Sequence, residues 1–124
     1  MSRAARSVQA FGFYLVGLGI ALAGVPNLLL GAFGLPATPE VWIRVVGVLV
    51  LNIGIYYHCA AADEAKRVFR VSVYTRALVV IAFLAFVLLG FAKPMLVLFG
   101  LVDLAGGIWT LLALRRDAEE TRTP

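Results

Sequence analysis

Cysteine and histidine are almost missing from this sequence: Cys59 and His58 are the only examples in 124 residues. One cysteine rules out an internal disulfide and a Cys-x-x-Cys redox pair. One histidine beside one cysteine is too few for a zinc or haem site built from a single chain. No metal and no cofactor is expected. Charge is scarce too, at 15% of residues, against roughly 25% in soluble domains. The net charge of +4 does not point to nucleic acid, because the lysines and arginines flank apolar stretches instead of forming a stripe. No catalytic motif stands in the chain, and the residues favour a non-enzymatic role.

Apolar residues are what the chain has in abundance, at 62%. They gather into four stretches, near residues 8–25, 41–62, 71–92 and 95–114. Each is about 20 residues long, enough for a helix to cross ~30 Å of hydrocarbon. The expectation is one integral domain over 1–124 in contact with a lipid bilayer. The first run lacks a small-residue cleavage site and reads as a retained helix. Of the 11 lysines and arginines, Arg3, Arg6, Lys66, Arg67, Arg70, Arg115, Arg116 and Arg122 share one side if the spans alternate. The positive-inside rule then puts both termini in the cytoplasm, in a cell inner (plasma) membrane. The mixed-charge tail Arg115–Pro124 is expected to fray.

Breaks and repeats refine this reading. Pro26 removes a helical donor, so the first crossing should end near Val25 and a short kinked or interfacial segment should follow over 26–34. Thr38 is placed to cap span two, with Pro39 and Glu40 in its first turn. Lys93-Pro94 makes spans three and four antiparallel neighbours. Glycines recur every seven residues at Gly17, Gly24 and Gly31, at Gly47 and Gly54 with Ala61, and at Gly100 and Gly107. Such a period marks close helix contacts along a left-handed crossing of about +20°. The expected fold is therefore an all-α membrane protein, a left-handed four-helix transmembrane bundle with a proline-kinked outer segment after the first span.

Polar groups inside spans are costly, at about 2.5–3.5 kcal/mol per charge on insertion scales, and so find partners. Asp103 lies ~13 Å below the outer end of span four and Arg44 ~5 Å below that of span two. Asn52 is level with Asp103, and Asn27 with Arg44. Asp103, Arg44, Asn52 and Asn27 thus form a candidate intramembrane polar site. It is either a structural Arg44–Asp103 bridge or Asn52–Asp103 bond, or a proton- or substrate-handling carboxylate. Glu40 offers Arg44 another partner four residues away. Arg76 can snorkel to headgroups or face the bundle beside Tyr56 or Tyr57. Tyr56-Tyr57-His58-Cys59 reads as an interfacial belt, or, through Tyr56, Tyr57 and Arg76, as a headgroup or quinone-ring site.

Two blocks, Pro39-Glu-Val-Trp-Ile-Arg-Val-Val-Gly through Gly54-Ile-Tyr-Tyr and Leu98-Phe-Gly-Leu-Val-Asp-Leu-Ala-Gly-Gly-Ile-Trp-Thr, resemble a set of small, uncharacterised bacterial four-helix membrane proteins. More distantly, the glycine-rich helices and kinked first span resemble DoxX-like proteins. That likeness implies a membrane subunit of a quinone-linked oxidoreductase. The reading that follows is a non-catalytic accessory or structural membrane protein, acting as a homo-oligomer or in a larger membrane complex. The alternatives are a small transporter or channel using Asp103, Arg44 and Asn52, and a membrane enzyme or subunit acting on lipid or quinone.

Overall fold

The computed structural model describes residues 1–122. Its helices are α1 (Arg3–Gly24), α2 (Pro26–Ala32), α3 (Trp42–Ala62), α4 (Lys66–Leu88) and α5 (Met95–Arg122). No strand occurs among the described residues. The four long helices, of 22, 21, 23 and 28 residues, are long and apolar enough to cross a membrane. This is a multi-pass, all-α membrane protein.

Pro26 breaks the first apolar run as its chemistry requires. The residue before a proline is pushed out of the α region, and Val25 sits at φ −135°, ψ 56°. Pro26 then opens α2 at its first turn, where a missing N–H costs nothing. Span two begins later than Thr38 would have it. Its helix starts at Trp42, and the Thr38 hydroxyl instead accepts the Glu40 N–H at 3.2 Å in a local turn. Span three starts earlier, at Lys66, and α5 remains helical through the charged stretch to Arg122, where fraying was expected. The last two residues of that tail, 123–124, lie outside the described residues. In both cases backbone hydrogen bonding carries the helix beyond the apolar segment that hydropathy detects.

Three helix ends share one closure. After α2, the Leu35 N–H reaches Leu30 O and Gly34 N–H reaches Gly31 O. After α4, Phe91 and Gly90 repeat this with Phe86 and Val87. After α3, Ala65 and Glu64 do so with Ala60 and Ala61. The pivotal residue is left-handed each time, at φ 70° for Gly34, 79° for Gly90 and 50° for Glu64. Glycine suits that position, and Glu64 is the departure.

The chain divides into two compact units. One, Gln9–Cys59, contains most of α1 and α3. Its close contacts run between glycines: a methyl group placed on Gly19 would lie 2.5 Å from Leu51 N and 2.7 Å from Gly47 O. One on Gly47 would lie 2.5 Å from Ala23 N, and one on Gly54 2.9 Å from Val16 N and 3.0 Å from Gly12 O. The antiparallel pair therefore meets at Gly12 opposite Gly54 and at Gly19 opposite Gly47, seven residues apart on each helix. Gly17, Gly24 and Gly31 have nothing within 4 Å of such a methyl and are not the seam. The seven-residue period is right for α1, but the contact runs through a different phase of it.

The other unit joins Met1–Val8 to the chain from Ala60 onward. Here α4 and α5 pack antiparallel, with Gly100 against Val80 and Phe83 and Gly107 against Val73 and Arg76. Acidic side chains distant in sequence close the start of α1. Asp117 accepts the Ala4 N–H at 3.0 Å and the Arg3 N–H at 3.4 Å. Glu64 accepts the Ser2 N–H and hydroxyl, both at 2.6 Å, and Ser2 Oγ accepts the Ala5 N–H at 3.0 Å. These bonds satisfy donors that a helix N-terminus leaves open, with carboxylates at its positive dipole end.

Candidate intramembrane polar site

Arg76 is the largest fully buried side chain among the described residues, 2% exposed and ~15 Å along α4 from its first residue. Its stem crosses Gly107 of α5, whose position would place a methyl 3.6 Å from Arg76 Cβ and 3.9 Å from its Cδ. Glycine there makes room for the stem. Arg76 Nη2 donates to Ser72 Oγ at 2.9 Å, and Ser72 in turn donates to Phe69 O at 2.7 Å. Asp103, one turn before Gly107 on α5, is half-buried, and the Arg76 charge acts on it.

A second buried contact lies nearer the end of α1. Ser7 and Thr110 hydroxyls are 2.9 Å apart, and both residues are fully enclosed. Ser7 donates to Ala4 O at 2.7 Å, so the Thr110 hydroxyl is the donor between them. Neither Ser7 nor Ser72 stood out in the sequence. The available signals were the four-residue spacing of Ser72 and Arg76 and two hydroxyls in otherwise apolar helices.

The other candidate residues lie in the Gln9–Cys59 unit, each with its own surroundings. Arg44 Nη1 donates to Ala23 O at 2.6 Å and Gly24 O at 3.2 Å. Those carbonyls end α1, just where Pro26 interrupts the helix, and a cation there also complements the negative dipole end. Arg44 is thus a cap for the kink, a role the Asp103 and Glu40 pairings did not anticipate. Asn27 Oδ1 accepts the Thr38 N–H at 2.9 Å and ties the outer linker to α2. Asn52 is exposed.

The Tyr56-Tyr57-His58-Cys59 run divides between two faces of α3. Tyr57 lies 6.0 Å from the Phe11 ring and His58 4.3 Å from the Phe13 ring, both on α1. Tyr56, 71% exposed, and Cys59 turn outward. Arg76 belongs to the other unit, where its stem packs against Gly107 of α5. No protein-family model, curated protein or solved structure matches this chain, so the likeness to DoxX-like proteins gains no support there.

Proposed function

We propose that this chain is a non-catalytic accessory or structural protein of the inner (plasma) membrane, with both termini cytoplasmic, working as an oligomer or as one subunit of a larger assembly. One observation carries this reading: Arg44, Ser7, Thr110 and Arg76, polar side chains of the long helices, bind backbone or pack against a neighbouring helix. Arg44 closes the end of α1, Ser7 and Thr110 join α1 to α5, and Arg76 is enclosed across Gly107 with its head on Ser72. The distribution of the eight flanking basic residues supports the orientation.

The half-buried carboxylate of Asp103 within α5 favours one alternative, a small transporter in which it handles a proton. Proteoliposomes with an imposed pH gradient separate the two. The accessory reading expects no pH-driven flux above protein-free vesicles. Flux that disappears in a stably folded Asp103→Asn variant would overturn it.

A further inference from the structure

We propose that α3 is the self-association helix, pairing with α3 of a second copy of this chain through Asn52. This rests on the oligomer-or-subunit reading and names the partner. Asn52 is the midpoint of the 21-residue α3, ~15 Å from either end, at the depth where water is scarcest. It is exposed, and no hydrogen bond reaches its side chain among the described residues. The glycine seam with α1 cannot provide one. Gly47 and Gly54 are five residues before and two after Asn52, which puts the amide roughly 140–160° around the helix from that seam. A carboxamide facing hydrocarbon lacks partners for two donors and an acceptor, an arrangement that membrane helices resolve by pairing.

The identity of the partner follows from the amide and its face. A carboxamide is self-complementary: its N–H can donate to a copy's C=O while accepting that copy's N–H. A closed two-fold dimer about the membrane normal keeps both copies in the same orientation, so their α3 helices run parallel and Asn52 meets its equivalent. The flanking residues repeat with the period such a contact needs. Val45, Asn52 and Cys59 are spaced by seven, with Leu49 and Tyr56 four after the first two, and all five are exposed. A single polar residue in an otherwise apolar seven-residue seam sets register and orientation as well as affinity.

The native Cys59 supplies the test. Copper phenanthroline with oxygen, applied to the full chain in liposomes, should join two Cys59 thiols into one disulfide and give a covalent dimer on a non-reducing gel. Cys59→Ser should abolish it. Asn52→Val should weaken the dimer about tenfold, or about 1.4 kcal/mol, with its helix content unchanged. Single cysteines placed at 17, 24, 45, 49, 50, 56 and 57 in the Cys59→Ser background should cross-link best at 45, 49 and 56 and least at 17, 24, 50 and 57. Cross-linking that peaks on the Gly17–Gly24–Gly31 face, an unchanged dimer in Asn52→Val, or a monomer would each overturn the inference. A monomer that copurifies with another membrane protein would overturn it while leaving the accessory reading intact, whereas pH-driven flux lost in Asp103→Asn strikes that reading and not this one.

Discussion

Glu64 takes the left-handed backbone position that Gly34 and Gly90 fill at the two matching helix ends. A non-glycine residue there costs about 1 kcal/mol, and the carboxylate gives a reason for it: both oxygens hold Ser2. Those hydrogen bonds lower the Glu64 pKa from its ordinary value. The stabilisation is therefore complete above the usual carboxylate range and is lost as pH falls through the lowered value. Opening of residues 2–5, read as hydrogen exchange relative to the intrinsic rate at each pH, should increase on acidification in the native chain. The increment should be smaller in Glu64→Gln, which keeps Asp117 in place; identical pH profiles would remove Glu64 from the explanation. Arg44 makes a matching case at the other end of α1. Arg44→Ala uncovers the Ala23 and Gly24 carbonyls and should lower stability by about 1–3 kcal/mol, read as thermal unfolding in micelles.

At the level of helices, close approach and open space sort the glycines. Gly19→Ala and Gly47→Ala place a methyl against backbone of the facing helix and should destabilise by about 1–3 kcal/mol. Gly17→Ala meets nothing and should be neutral or stabilising by up to about 1 kcal/mol through helix propensity. Equal effects in a thermal-stability series would contradict the assigned seam. The glycines also mark how far the fold is legible in the sequence. The spans, the break at Pro26, the seven-residue period and the antiparallel α4–α5 pair are all legible, because apolar length, proline chemistry and a short connection act locally. The phase of the glycine repeat on α1 is not, since Gly12–Gly19 and Gly17–Gly24 share one period and only the facing helix distinguishes them. Helix ends shift for a related reason: hydropathy reports where lipid would be, not where backbone bonds stop. In the candidate site, the sequence marks Arg76 but leaves its direction open, because a long cation near a span end can reach water, and Gly107, which admits its stem, is 31 positions away in the chain.

For the whole molecule, four spans joined by alternating turns require both termini on one side, with residues 35–38 on the other. Reporter fusions at the C-terminus and in that linker should give opposite signals, with the C-terminal fusion cytoplasmic. A periplasmic C-terminus would contradict the orientation proposed from charge. The central claim is that enclosed polar side chains such as Arg76 hold helices together, and the electrostatic coupling of Arg76 to Asp103 tests it most directly. A double-mutant cycle of Asp103→Asn and Arg76→Met, followed by unfolding in micelles, measures their coupling. Asp103→Asn alone removes the half-buried carboxylate on which the enclosed Arg76 charge acts and should destabilise by about 1 kcal/mol, and adding Arg76→Met should restore part of that loss, because no enclosed cation is then left without its countercharge. An Asp103→Asn protein as stable as the native chain, with no coupling to Arg76, would contradict the account.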